Sequence, residues 1–130
     1  MLWIKKEVID FIISDGLKEN PIEACGYLAG NDQIIVKAVK MKNIDNSSEH
    51  FSFDIKEQFK VVKELRAQGL DIIGIYHTHT QTSARMSEED KRLANDTNLI
   101  YLIFSLKDDN FKCYKVTEQK SVIAVTIEVI

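Results

Sequence analysis

The chain has 130 residues, of which 45% are hydrophobic and 28% charged, and its formal net charge is -3. This length and composition are typical of an ordinary globular domain, and we predict a single domain over residues 1–130. Lysines and acids are mixed without a basic stripe, and no apolar run reaches the length of a signal peptide or membrane span, so we expect a cytoplasmic protein that binds neither nucleic acid nor membrane.

The first predicted element is an amphipathic helix over residues 3–18. Its apolar residues recur at three- and four-residue spacing and would share one face: Ile4, Val8, Phe11 and Ile12. Asn20-Pro21 ends this helix, because proline lacks the amide donor that a continuing helix needs and disfavours helical geometry in the residue before it. Glu23 therefore follows directly after a break.

Strands are predicted next. Two β-rich runs, 24–29 and 34–41, are separated by Gly30-Asn31-Asp32, a turn-rich spacer that predicts an antiparallel hairpin. Further on, Phe51-Ser52-Phe53 alternates apolar and polar residues and predicts another short strand.

Residues 55–68 form the second predicted helix. Asp54 with Glu57 three residues later is typical of a capping box, and Gly69 closes the helix. Its apolar face is predicted from residues at helical spacing: Ile55, Phe59 and Val62.

The remaining chain contains one more predicted helix among strands. Residues 71–76 are a short β-rich run, and 87–97 is predicted to be helical from its polar composition and its Ser-x-x-Asp start. Three apolar runs complete the chain: 99–106, 111–117 and 121–130. This order predicts an α/β or α+β fold in which a sheet is flanked by about three helices and covered on at least one face.

The two cysteines, Cys25 and Cys113, lie far apart and outside any Cys-x-x-Cys pair. We therefore predict reduced thiols rather than a structural zinc site or a redox pair. Cys25 lies two residues from Glu23 and could share its side of a strand, but core packing is its expected role.

Two of the three histidines lie in the window His77-Thr78-His79. On an extended strand, residues i and i+2 project from the same face, so both imidazoles can converge on one metal ion. A catalytic zinc needs three protein ligands and one open position for water. Asp90 is the preferred third ligand, because a helix capped by Ser87 would place it in the first turn, near the end of the strand.

Other interpretations of these residues stay open. Ser87 to Asp90 is also the pattern of an ordinary capping box, and a lone His-x-His pair is often not a metal site. Glu88 and Glu89 are rival carboxylates to Asp90, and His50 could supply a third imidazole.

Taken together, these residues resemble the signature of the JAMM, or MPN-plus, metalloprotease family. The pattern is Glu23, then His77-Thr78-His79, then Ser87 and Asp90, with seven residues between His79 and Ser87.

The resemblance covers nearly the whole chain. Residues 21–30 are similar to the family's glutamate-bearing strand, and residues 72–76 to the strand that delivers the histidines. One departure is Thr80, which stands where the family usually has proline after the second histidine.

The resemblance implies a role for each motif residue. His77, His79 and Asp90 would hold Zn²⁺, Glu23 would be the general acid/base, and Ser87 would donate a hydroxyl hydrogen bond to the oxyanion. Zinc can lower the pKa of its water from about 15.7 to about 7, and Glu23 would transfer the proton to the departing amine. The implied architecture is that of JAMM/MPN and cytidine-deaminase-like proteins, a curved, mixed, mainly antiparallel sheet with helices packed outside.

The resemblance also implies a substrate class. Family members cut peptide or isopeptide bonds after the C-terminal glycine pair of ubiquitin-like proteins. This chain lacks the long insertions of the eukaryotic deubiquitinases and resembles prokaryotic members that process ubiquitin-like sulfur-carrier proteins, so the expected partner is such a carrier's C-terminal tail. The segment 43–49 and the loop 80–86 are expected to wall a channel narrow enough to favour glycine.

Two other classes of function remain alternatives. One is a non-catalytic MPN-type binding module, but such modules typically lack the ligands, whereas this chain retains all five motif residues. The other is a metalloenzyme with a two-histidine, one-carboxylate iron site, which the identity of the metal would distinguish.

Overall fold

The computed structural model describes residues 1–130 and contains three helices and eight strands. In chain order the elements are β1 (Leu2–Ile4), α1 (Lys6–Glu19), β2 (Cys25–Asn31), β3 (Ile34–Met41), α2 (Ile55–Ala67), β4 (Asp71–His79), α3 (Glu88–Leu93), β5 (Ile100–Ser105), β6 (Asn110–Val116), β7 (Val122–Val125) and β8 (Ile127–Val129). All strands belong to one sheet, in the order β7-β6-β5-β4-β2-β3-β1-β8. Four of its seven neighbouring pairs are antiparallel, which confirms the predicted mixed sheet with three helices.

The edge strands β7 and β8 are separated in sequence only by Thr126. β7 pairs with β6 at one edge of the sheet, and β8 pairs with β1 at the other. One continuous segment can reach both edges only if the sheet curls until they approach each other. The sheet curls around α1, because all eight strands contribute a residue to the hydrophobic cluster that contains Val8 and Ile12.

Helix α1 begins at Lys6, so the start of the predicted helix at residue 3 is wrong. Leu2–Ile4 instead forms β1, which pairs in parallel with both β3 and β8. Ile4 is buried in the same cluster as Val8, which is why apolar spacing alone could not separate strand from helix. The helix ends at Glu19, before Asn20-Pro21, as predicted.

β2 and β3 form the predicted antiparallel hairpin. The two turn residues, Asp32 and Gln33, have φ angles of 52° and 66°, the left-handed conformation that suits a two-residue hairpin turn. On its other side β2 pairs with β4, so the strand that follows Glu23 lies beside the strand that carries the histidines.

Helix α2 confirms the predicted helix within one residue, and the Asp54 side chain caps it by accepting a hydrogen bond from the Glu57 amide. Its predicted apolar face is wrong at Ile55 and Phe59, which are 67% and 75% exposed, and is confirmed at Val62, which packs against the cluster under α2. The buried residues of that cluster on α2 are Val61 and Leu65. The predicted strand at 51–53 is irregular chain.

The end of the chain differs from the prediction in two places. Helix α3 ends at Leu93, four residues before the predicted end, because Ala94 is buried and the Asp96 side chain accepts a hydrogen bond from the Asn98 amide, which favours a turn. The last apolar run divides at Thr126 into β7 and β8.

Both faces of the sheet are covered. Opposite α1, two separate clusters pack under α2 and beside α3, and Ile75 of β4 contacts both of them. β4 therefore runs below the crevice between these two helices. No helix of the structure is long and apolar enough to cross a membrane.

Candidate metal centre

The C-terminal end of β4 carries His77 and His79 on the same face, as predicted. Both side chains are buried, and their Nε2 atoms lie 3.2 Å apart. The alternation of the strand sends Tyr76 and Thr78, the two neighbours of His77, to the face covered by α1, where Tyr76 joins that core.

Asp90 reaches the two imidazoles from the first turn of α3. Its Oδ1 lies 3.3 Å from Nε2 of His77, and its Oδ2 lies 3.0 Å from Nε2 of His79. Burial opposes ionisation of this carboxyl, but hydrogen bonds with His77 and His79 hold the pKa of Asp90 well below its usual range. The rival carboxylates do not join the cluster, since Glu88 pairs with Lys91 and Glu89 pairs with Arg92.

The capping box of α3 holds Asp90 in this position. The Asp90 amide donates to Oγ of Ser87, and the Ser87 amide donates to Oδ2 of Asp90, both at 3.0 Å. The capping and the metal-site interpretations of this segment are therefore compatible, because the cap fixes the carboxylate that faces the histidines.

The ring of His79 has a defined orientation. Its Nδ1 lies 2.7 Å from the Ser83 carbonyl oxygen, which can only accept, so Nδ1 carries a proton and Nε2 is the ring nitrogen that faces the cluster. His77 is held differently: the Phe51 ring packs on it with centroids 4.7 Å apart, and its Nδ1 is buried without a hydrogen-bond partner. Thr80, in place of the family's proline, is thus compatible with convergence of the two rings.

The donor set fits a divalent cation. One ligand atom from each of His77, His79 and Asp90 lies within 4.8 Å of the others, and all three residues are buried. Nε2 of both histidines and the Asp90 carboxylate face one another, and two imidazoles with a carboxylate are a common ligand set for catalytic zinc. His50 is outside this group, because its Nδ1 pairs with Asp45 at 2.8 Å.

Glu23 lies at the break between α1 and β2 and is 2% exposed. Its backbone is fixed from the segment after β3: the Glu23 amide donates to the Ser47 carbonyl, and the Asn43 side chain donates to the Glu23 carbonyl. Its Oε1 has no partner, and burial raises the pKa of the carboxyl to about 8, with His79 lowering it and Asp90 raising it. A carboxyl tuned near neutrality can both accept and return a proton.

Two depressions meet at these residues. The apolar groove has a volume of about 400 Å³ and includes Tyr27, Phe51, His77, Met86, Asp90, Leu93 and Tyr101 among its lining residues. The polar pocket has a volume of about 330 Å³ and is lined by Glu23, Ser48, Glu49, His79, Thr80, Gln81, Thr82, Ser87 and Glu89. Parts of the segment 43–49 and of the loop 80–86 therefore line these depressions, and the channel that favours glycine stays a prediction.

Several site residues escaped the sequence analysis. Asn43 donates to the carbonyls of both Glu23 and His50 and so ties the chain before β2 to the segment after β3. Phe51 lies in the segment predicted as a strand, which is irregular chain, and Ser83 acts only through its backbone. No local pattern marks these contacts, because each depends on chain that returns from a distant element. Cys25 packs in the cluster under α2, as expected, and both cysteines are free.

Comparison with known proteins identifies the family. A family model described as prokaryotic homologs of the JAB domain matches residues 5–117. The CysO-cysteine peptidase of Mycobacterium tuberculosis is 29% identical over 110 residues, covering 83% of this chain and 75% of the relative. The desampylase of Pyrococcus furiosus is 26% identical over 113 residues, covering 87% and 80%.

The fold is also found among solved structures. Protein DSY2949 from Desulfitobacterium hafniense superposes with a TM-score of 0.89 at 34% identity, covering 100% of this chain and 93% of that one. The chain therefore belongs to the prokaryotic JAB-domain family and is a JAMM-type hydrolase.

Proposed function

We propose that this protein is a cytoplasmic zinc-dependent peptidase or isopeptidase that hydrolyses the bond after the C-terminal Gly-Gly of a ubiquitin-like sulfur-carrier protein. One observation carries the proposal: three buried donor atoms converge beside a buried carboxyl that has no hydrogen-bond partner. The names of the two relatives, a CysO-cysteine peptidase and a desampylase, support cleavage of a bond to a small carrier protein.

His77, His79 and Asp90 are the proposed zinc ligands. Bound there, zinc supplies an activated water at neutral pH and a Lewis acid for the scissile carbonyl. The protein contributes the orientation of the ligands, through the Ser83 carbonyl behind His79 and the capping box behind Asp90.

Glu23 is the proposed general base and acid. Its carboxyl shares the polar pocket with His79 and Ser87, so it faces the same space as the reacting atoms. It accepts a proton from the attacking water and returns it to the nitrogen of the departing amine. Burial among protein groups keeps its pKa near the pH at which both transfers are feasible.

Ser87 is the proposed oxyanion donor. Its Oγ accepts the Asp90 amide, and its own hydroxyl proton remains available to the polar pocket that it lines. Donation from this hydroxyl stabilises the negative charge that develops on the carbonyl oxygen of the substrate.

The first test is metal content. Elemental analysis of the purified wild type is expected to give about one zinc per chain after reloading, and His77→Ala and Asp90→Ala are expected to lose it. His50→Ala is the matched control, since this third histidine pairs with Asp45 and should leave the zinc content unchanged.

Activity is tested with a carrier domain that ends in Gly-Gly and is extended by one residue. Release of that residue by the zinc-loaded wild type, and by neither ligand variant, is the expected result. Retention of zinc by Asp90→Ala, or cleavage by metal-free protein, would contradict the proposed site.

A further inference from the structure

The two depressions at the metal centre differ in chemistry. The apolar groove lies between α2 and α3 and is lined mainly by hydrophobic and aromatic side chains. The polar pocket has no hydrophobic lining residue and includes three carboxylates, those of Glu23, Glu49 and Glu89. The metal cluster separates them, with His77 on the groove and His79 on the pocket. A substrate that crosses the centre therefore meets different surroundings on each side of its scissile bond.

The position of Glu23 decides which side receives the leaving group. This step rests on the proposed function, in which Glu23 returns a proton to the departing nitrogen. A proton donor must lie within hydrogen-bonding reach of the atom that it protonates. Glu23 lines the polar pocket and not the groove, so the departing amine and its substituents enter the pocket.

The pocket has a net negative lining. No lysine or arginine is among its lining residues. The Glu49 side chain has no ion-pair or hydrogen-bond partner in the structure, and Glu89 has only a 3.4 Å contact with exposed Arg92. Both carboxylates lie close enough to Glu23 to raise the pKa of its carboxyl.

A second observation shows that this pocket is built to receive a polar group. Glu23 is only 2% exposed, and its Oε1 has no hydrogen-bond partner in the protein. Around it the pocket offers the side chains of Thr80, Gln81 and Ser87, so hydrogen-bonding groups surround the acidic centre. An orphaned buried acceptor next to uncompensated carboxylates favours a donor-rich, positively charged ligand.

We infer that Glu49 and Glu89 determine leaving-group specificity, by favouring an amine that carries a positive charge away from the reacting nitrogen, such as lysinamide linked through its ε-nitrogen, and disfavouring a free amino acid that carries an α-carboxylate. The chemistry of the cut is the same in both cases: water adds to the carbonyl carbon, the carbon–nitrogen bond breaks, and the nitrogen leaves with the proton. The charge of the departing group is the difference between them to which the two carboxylates respond.

The test uses three substrates that share one ubiquitin-like carrier ending in Gly-Gly. The carrier is linked to the α-amine of cysteine, to the α-amine of cysteinamide, or to the ε-amine of lysinamide, so that the leaving portion is anionic, neutral or cationic apart from the reacting nitrogen. For the zinc-loaded wild type at low salt we expect kcat/KM to rise in that order, with about a tenfold span, and the span to shrink at higher ionic strength.

Glu49→Gln and Glu89→Gln should each reduce the ratio of lysinamide to cysteine kcat/KM by about threefold, and the double variant should nearly abolish the preference. Glu88→Gln is the matched control, because Glu88 neighbours Glu89 on α3 but is 91% exposed and does not line the pocket. An unchanged ratio in the double variant, or a wild type that prefers the free cysteine substrate, overturns the inference while leaving the proposed hydrolysis intact.

Binding of the same three substrates, measured by NMR titration of the zinc-loaded protein, separates the two proposals. A charge order in affinity that the double variant loses, without hydrolysis of any substrate, supports the pocket's specificity and contradicts the proposed function. Equal affinities without hydrolysis overturn both.

Discussion

Strand β4 carries buried polar side chains on both of its faces, and the two sets differ in how their hydrogen-bonding groups are satisfied. On the α1 face, the Tyr76 hydroxyl donates to Oδ2 of Asp15 at 2.8 Å, and Lys40 pairs with Oδ1 of the same carboxylate at 2.9 Å. On the opposite face, where His77 and His79 meet Asp90, the neighbouring Glu23 Oε1 is buried without a partner.

The buried polar groups of the two faces therefore differ in role, stabilising the fold on one face and serving the reaction on the other. Buried polar groups that are fully paired within the chain hold elements together, here α1 against β3 and β4. Buried groups that the chain leaves unpaired cost stability unless a ligand satisfies them, so they mark the reactive side of the sheet. Adjacent residues of one strand, Tyr76 and His77, therefore have unrelated roles.

The largest expected effect lies on the reactive side. Glu23→Gln should lower kcat by about a thousandfold or more, because the amide cannot carry a proton between water and amine, while zinc remains bound. Steady-state kinetics with parallel elemental analysis measures both. Full activity in this variant would show that the Glu23 carboxyl has no role in proton transfer.

The same substitution should change stability in a pH-dependent way in chelator-treated protein. Burial raises the pKa of Glu23 from an ordinary 4.5 to about 8, so the native state keeps a proton that the unfolded state loses. Wild-type stability should therefore fall as pH rises from about 4.5 to about 8, and the Glu23→Gln variant should lack this contribution.

We expect the variant to gain about 3 kcal/mol over the wild type between pH 5 and pH 8, measured by urea unfolding at both values. A constant difference between the two proteins across this range would mean that the Glu23 carboxyl is not desolvated in the native state.

On the paired face, Asp15→Ala should reduce the free energy of unfolding by about 2–3 kcal/mol, since it leaves the buried Tyr76 hydroxyl without its acceptor. The folded variant should still bind zinc. Asp10→Ala on the same helix is the control, because its pair with Lys6 is exposed and the substitution should leave the free energy of unfolding nearly unchanged. Loss of zinc by folded Asp15→Ala would contradict the proposal that the groups on the α1 face do not contribute to the metal centre.

Ser87 is both a helix cap and a proposed oxyanion donor. Its substitution should therefore have the smallest effect, divided between stability and kcat. Ser87→Ala is expected to cost about 1 kcal/mol of stability as a lost helix cap and to lower kcat by about ten- to a hundredfold as a lost oxyanion donor. Ser87→Thr should restore most of the cap, so comparing its stability with its kcat separates the two roles. A rate that follows stability in both variants would reduce Ser87 to a cap.

The sequence by itself determined the local features of this protein. Proline at position 21 ended α1, Asp54 began α2, and the His-x-His spacing on β4 placed two imidazoles on one face, because each depends on backbone geometry within a few residues. The spacing from Glu23 to Asp90 also indicated the family, since those residue types and intervals are specific in combination.

Only the tertiary structure decided the rest. β1 is a strand because distant β3 and β8 pair with it, and Ile55 and Phe59 are exposed because the sheet takes a different stripe of α2. The partition of the metal centre into an apolar groove and an acidic pocket likewise depends on segments that converge from α2, α3 and the loop after β3. Such contacts are set by the closing of a curved sheet, a long-range event that no short window of sequence encodes.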